Sequence, residues 1–261
     1  MTLERYLRER GRKILAPYLM CGFPTPEAFP DLVRGIIDAG ADMFEIGIPF
    51  SDPLMDGPVI QRAADIALRH EVRPAVALRT IETLELSIPF VYMTYVNPIL
   101  AMGEDAFAKR ARATGADGVI VPDLPVDEAG SWIAAARGHE LDPVFLAAPT
   151  TPRERIDAIV AAGSGFVYCV SLLGVTGVRT SLSERAKGVV DAVKATTDRP
   201  ALVGIGVSTP EQAAEACSFA DGVIVGSAIL AAVENDGLDA AVSLVKQMRE
   251  AIDHAAAERR R

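Results

Sequence analysis

Two carboxylates bracket the string Glu45-Ile-Gly-Ile-Pro-Phe-Ser-Asp-Pro-Leu-Met-Asp56, with the second acid eleven positions after the first. Glu45 stands at the end of an apolar run, followed by Ile46, Gly47 and Ile48, whereas Asp56 lies in a stretch punctuated by proline and glycine. An acid in an apolar slot and a second acid in a wetter loop hold different pKa values, which suits chemistry that moves two protons. The alternative is structural: Glu45 as a strand-end residue in a salt bridge, and Asp56 as a helix cap. Both readings stand at this point, because ion pairs also perturb carboxylates.

The elements that must position these acids follow from periodicity. Short apolar or β-branched runs read as strands near Ile14–Met20, Asp42–Ile48, Phe90–Tyr95, Gly118–Val121, Pro143–Ala147, Phe166–Val170, Ala201–Ile205 and Gly222–Val225. Between them lie Ala-rich stretches of helical periodicity: Pro26–Ala39, Asp105–Thr114, Val126–Arg137, Pro152–Ala161, Leu182–Ala195 and Pro210–Cys217. Thr25-Pro26, Thr151-Pro152, Thr209-Pro210 and Ser181-Leu-Ser-Glu184 are N-cap and first-turn signatures. Such alternation predicts one (β/α)8 barrel (TIM barrel) over residues 1–261, with an N-terminal helix, Leu3–Arg10, across its bottom. The second crossover carries an extra helix, since Pro58–His70 and Pro74–Ser87 are both periodic. An open doubly wound sheet is the alternative fold. On a barrel, active sites form at the C-terminal ends of the strands. That places Glu45 and Asp56 on the catalytic face.

Glycines mark a second feature of that face. Gly204-Ile-Gly206 follows the seventh strand and Gly226-Ser227 the eighth, where a barrel presents backbone N–H groups and a short helix N-terminus to a phosphate. Glycine lets the backbone approach the anion without a Cβ in the way. Ala228–Val233 is expected as that short phosphate-binding helix, and Gly174-Val-Thr-Gly177-Val-Arg179 as a lid that completes the cradle. Three ordinary turns are the alternative. Gly204 and Gly206 do not make a dinucleotide fingerprint, which needs a third glycine at fixed spacing.

Bulk properties narrow the partners. The 261 residues are 50% hydrophobic with a net charge of −9 and a mean hydropathy of +0.23. That composition supports a substantial core and argues against a basic surface for nucleic acid or anionic membrane. No apolar run reaches the length of a membrane span, and the charged N-terminus has no apolar signal core. Cys21, Cys169 and Cys217 form no CxxC pair and suit a reducing, cytoplasmic setting. His70, His139 and His254 are isolated, so a metal site is not expected. Lysines are few near strand ends, so Schiff-base chemistry has no obvious candidate, which directs carbon–carbon chemistry toward acid–base catalysis.

At this point the residues resemble a known family. Pro17-Tyr-Leu, Gly22-Phe-Pro-Thr, the Glu45–Pro58 string and Gly115-Ala-Asp-Gly-Val-Ile-Val-Pro-Asp-Leu-Pro125 are similar to the tryptophan synthase alpha chain. So are Ser171…Gly174-Val-Thr-Gly177, Gly204-Ile-Gly206-Val-Ser and Gly226-Ser227-Ala, in order over nearly the whole chain. The resemblance implies retro-aldol cleavage of indole-3-glycerol phosphate to indole and glyceraldehyde 3-phosphate, without metal or organic cofactor. It assigns Glu45 to protonate indole C3 and then accept the glycerol 3′-hydroxyl proton, and Asp56 to hold the ring N–H. It further implies that Tyr18, Tyr95, Ile120, Tyr168 and Thr176 line or support the substrate pocket, with Asp123 nearby. Gly177, Gly206, Gly226 and Ser227 correspond to the phosphate cradle. Asp52, Pro53 and Pro125 correspond to positions facing a pyridoxal-phosphate-dependent beta chain, in an α2β2 assembly. Leu172-Leu173 and Met55 depart from the family pattern, which bears on lid and partner contacts. A freestanding lyase, a catalytically dead regulatory subunit and another phosphate-binding barrel are the alternatives; the Pro-Phe-Ser-Asp-Pro string counts against the last.

Overall fold

The computed structural model describes residues 2–170, 182–204 and 206–259. All pairings in its sheet are parallel, in the strand order β5-β4-β3-β2-β1-β9-β8-β7-β6. The strands are β1 (Ile14–Met20), β2 (Phe44–Gly47), β3 (Phe90–Met93), β4 (Gly118–Ile120), β5 (Asp142–Val144), β6 (Leu146–Ala147), β7 (Val167–Val170), β8 (Ala201–Gly204) and β9 (Gly222–Val225). The two ends of that order, β5 and β6, are separated in sequence only by Phe145. They are halves of one barrel strand: β5 pairs with β4 and β6 with β7, which closes the ring. The single strand expected over Pro143–Ala147 is therefore interrupted at Phe145, whose carbonyl accepts a bond from Tyr168 N at 3.1 Å. A one-residue break between the two ladders lets the chain change partners where the tilted strands of a barrel must meet. The architecture is the eight-unit α/β barrel, not the open sheet.

The doubled second crossover is present as α3 (Pro58–Arg69) and α4 (Pro74–Leu84), each opening on proline. Two further helices, α5 (Val96–Met102) and α12 (Leu238–Glu258), were not anticipated from periodicity. Of the Thr-Pro signals, Thr209 caps as expected, exchanging bonds with Gln212 in a full capping box. Thr151 instead accepts a bond from Ala148 N at 2.9 Å, and Thr25 one from Ala28 N at 3.2 Å. There the same chemistry closes a turn before the helix. The Ser181 signal lies outside the described residues.

The bottom of the barrel is tied by a buried carboxylate. Asp42 Oδ1 accepts bonds from Arg10 Nε at 2.8 Å and Arg12 Nε at 2.9 Å. Its Oδ2 accepts from Leu15 N and from an Arg249 guanidinium nitrogen, both at 3.0 Å. Asp42 is fully buried and Arg249 nearly so, so one acid links the first helix, the first two strands and the last helix. Asp42→Ala is expected to cost about 3–5 kcal/mol, because it leaves the buried Leu15 N–H without its acceptor and strips the buried Arg249 of one of its two carboxylates. Urea denaturation measures this; a loss under about 1 kcal/mol, the size of an exposed ion pair, contradicts it.

Candidate active site

Glu45 is the second residue of β2, and register places it beside Tyr18 of β1 and Val91 of β3. Residues paired across parallel strands point to the same face, so Tyr18 and Glu45 both enter the barrel interior. Glu45 is 3% exposed and its Oε2 has no hydrogen-bond partner. It makes no ion pair among the described residues, which removes the salt-bridge alternative. Burial pushes its carboxyl up to about 8, with the Asp56 carboxylate adding to the rise.

Asp56 sits in the loop between β2 and α3, and Gly57, not Asp56, occupies the N-cap of α3. Its position is held from two sides. Within the loop, Asp56 N donates to Pro53 O at 3.0 Å, and Gln61 Nε2 donates to Asp56 O at 2.9 Å. From the N-cap of the helix that follows β3, the Tyr95 hydroxyl donates to Asp56 Oδ2 and accepts from Met55 N, both at 3.0 Å. Phe50 packs on Tyr95 with ring centroids 5.3 Å apart. Burial raises the Asp56 carboxyl to about 6, and the Tyr95 bond opposes that rise. The Tyr95 bracket spans 39 positions in sequence, so no local pattern announces it.

The other expected residues divide clearly. Ile120 ends β4 and is buried. Asp123 Oδ1 accepts from Val96 N at 2.9 Å, joining the loop after β4 to α5. Tyr18 and Tyr168 are buried in the interior, each filling space left by a glycine. A Cβ on Gly47 would lie 2.1 Å from the Tyr18 hydroxyl, and one on Gly204 would lie 2.1 Å from the Tyr168 hydroxyl. Gly206 follows β8 with φ +89°, a conformation that side chains rarely tolerate. Gly226 and Ser227 open α11 (Ser227–Asp236), with no side chain capping its first turn. This helix is longer than the expected Ala228–Val233 and leaves free N–H groups beside the Gly206 turn. Thr176, Gly177 and the Leu172-Leu173 pair lie outside the described residues. Asp52 and Pro125 are exposed and Pro53 is partly so.

A cavity of about 900 Å3 opens at the opposite end of the barrel, lined in part by Arg12, Lys13, Cys217 and Asp221. Three of these groups are already engaged: Arg12 on Asp42, Lys13 on Ala220 O, and Asp221 with Lys194. Size alone does not make it the reactive site. The acids, the tyrosines and the glycine turns all stand at the other end.

The family model for the tryptophan synthase alpha chain matches residues 5–258. The tryptophan synthase alpha chain of Carboxydothermus hydrogenoformans is 46% identical over 230 residues, covering 87% of this chain and 86% of that protein. That of Streptomyces avermitilis is 45% identical over 252 residues, covering 94% and 91%. Among solved structures, tryptophan synthase subunit alpha from Legionella pneumophila superposes with a TM-score of 0.88 at 36% identity, covering 97% of this chain and 99% of that one. The aminoacrylate-bound tryptophan synthase of M. tuberculosis gives 0.87 at 39% identity, with 96% and 98% covered.

Proposed function

This chain belongs to the tryptophan synthase alpha-chain family, and from that premise we propose how its own residues carry the family's reaction. The reaction is retro-aldol cleavage of indole-3-glycerol phosphate to indole and glyceraldehyde 3-phosphate. Glu45 enters protonated and delivers its proton to indole C3. The ring nitrogen then carries positive charge, and Asp56 stabilises it by accepting the N–H hydrogen bond. Glu45, now ionised, takes the proton from the hydroxyl on the adjoining carbon. The carbon–carbon bond breaks, its electrons return to the ring, and Glu45 is protonated as at the start. The phosphate rests on the turns at Gly206 and Gly226, with Ser227 as a hydroxyl donor, and Tyr18, Tyr95, Ile120 and Tyr168 surround the indole and glycerol. The observation that carries it is the pair of inequivalent carboxylates facing one interior beside a glycine-lined phosphate turn.

A beta-chain partner follows from the family, and we extend this to an α2β2 assembly in which Asp52, Pro53 and Pro125 face it. Exposed apolar side chains support that surface. Leu54 and Met55 are 87% and 58% exposed in the Asp56 loop, and Leu100 is 57% exposed on α5. Large apolar side chains left this exposed suit a partner that covers them. Relatives of this identity and coverage carry the alpha-chain name, which favours the subunit over a freestanding lyase. We place the enzyme in the cytoplasm, a setting that suits its three free, buried cysteines. No helix among the described residues is long and apolar enough to cross a membrane.

The deciding experiment is indole release from indole-3-glycerol phosphate by the purified chain, with and without a beta chain. Strong activation by the partner excludes the freestanding alternative, and no indole in either arm overturns the whole reading. The pH profile of kcat/KM is a second expectation. Turnover requires Asp56 ionised and Glu45 protonated, so activity rises through about 6 and falls through about 8. The two limbs belong to the coupled pair. An alkaline limb absent up to pH ~10 removes Glu45 as the acid.

A further inference from the structure

Strand order around the barrel runs β8, β9, β1, β2, β3, so β1 separates the phosphate turns from the catalytic acid. The residue that β1 presents there is Tyr18. On one side, a Cβ added to Gly226 would lie 3.2 Å from the Tyr18 Cβ. On the other, a Cβ added to Gly47 would lie 2.1 Å from the Tyr18 hydroxyl and 2.7 Å from Cζ. The ring therefore lies across the gap from cradle to acid, its hydroxyl over the end of β2. Tyr18 is 3% exposed, and its hydroxyl has no hydrogen-bond partner. Glu45 Oε2, on the residue paired with Tyr18 across β1 and β2, is likewise buried without a partner. Buried polar atoms are ordinarily paired, and two orphans on neighbouring strands suit a ligand that both accepts and donates there. Resting on the reading above, the part of the substrate that must cross this gap is the glycerol chain, the only segment carrying hydroxyls.

We propose that the Tyr18 hydroxyl reads this hydroxylated chain, donating a hydrogen bond to the glycerol oxygen between the phosphate and the scissile bond. Tyr18 is then a specificity-determining contact beyond ring packing. Burial and the nearby carboxylates hold the phenol well above its ordinary pKa, so it remains a donor wherever the enzyme works. The packing of the ring against Gly47 fixes the hydroxyl's direction before substrate arrives, which favours a chain bearing an oxygen at that point over one without.

The test is Tyr18→Phe, which removes one oxygen and keeps the ring. Turnover of indole-3-glycerol phosphate is compared with calorimetric binding of 3-(indol-3-yl)propyl phosphate, which has the same skeleton without hydroxyls. The expected result is a loss of about tenfold in kcat/KM, within the range of one neutral hydrogen bond, with the affinity for the hydroxyl-free analogue unchanged within about twofold. Unchanged kcat/KM overturns the proposal. An equal loss of analogue affinity also overturns it, because the effect is then one of packing. If wild-type protein releases no indole, the failure is that of the underlying function, which the wild-type arm reveals separately.

Discussion

Replacing Glu45 with glutamine is expected to lower indole release by about 10²–10⁴-fold, the contribution of one well-placed acid–base group, while substrate still binds. The amide keeps the shape of the side chain and removes both proton transfers, delivery to C3 and acceptance from the carbinol. The loss should fall on kcat and leave KM near its wild-type value. Residual turnover within about tenfold of wild type takes Glu45 out of the proton-transfer role. The loss will not come from unfolding, as the sign of the linkage shows. Burial raises the Glu45 carboxyl in the folded chain from the ordinary 4.5 to about 8. Between those values the folded state binds more protons than the unfolded state, so this group's contribution to stability declines as pH rises, levelling off above about 8. Glutamine has no proton to lose. Glu45→Gln should therefore unfold at the same temperature as wild type or higher, with its largest advantage near pH 8 and above. A lower melting point at that pH contradicts the account of Glu45 as a strained, uncompensated acid.

Asp56→Asn is expected to lose about 10²-fold or more in kcat/KM, comparable to removing a preorganised charge-stabilising group. The amide cannot answer the positive charge that develops on the ring nitrogen. It also changes how the Tyr95 hydroxyl, now bonded to Asp56 Oδ2 at 3.0 Å, is engaged. The residual activity carries a further signature. The Asp56 carboxylate contributes to the raised pKa of Glu45, second to burial. Neutralising it lets Glu45 ionise more readily, so the alkaline limb of the profile should move to lower pH while the acid limb of Asp56 disappears. An alkaline limb that stays in place shows that the two acids do not share one field. Tyr95→Phe provides a milder companion, since it removes the bracket on Asp56 and Met55 and leaves both carboxylates.

Much of the site was legible because its signals are local. Glu45 at the end of an apolar run, Asp56 in a Pro/Gly loop, and the glycines after the last two strands are all short-range patterns. Periodicity likewise announced the strand–helix alternation and the doubled second crossover. It gave no warning of α12, nor of the split at Phe145. That split arises from ring closure, which depends on the position of strands far apart in the chain. The Thr-Pro signals show the same limit at smaller scale. Thr209 makes its capping box, while Thr25 and Thr151 spend the same hydroxyl on turns that precede their helices.

Residue types and spacings alone identified the family and the candidate groups, two acids and a set of glycines after the last strands. Which acid is protonated at neutral pH was decided only by the tertiary structure. Desolvation and the field of a second carboxylate depend on what surrounds Glu45 in space. Tyr95 reaches Asp56 from the N-cap of the helix after β3, and Tyr18 lies beside both Gly226 and Gly47 only because β1 lies between β9 and β2. Closure of the barrel turns those distant positions into neighbours, and through-space neighbours, not chain neighbours, set the proton affinities on which catalysis rests.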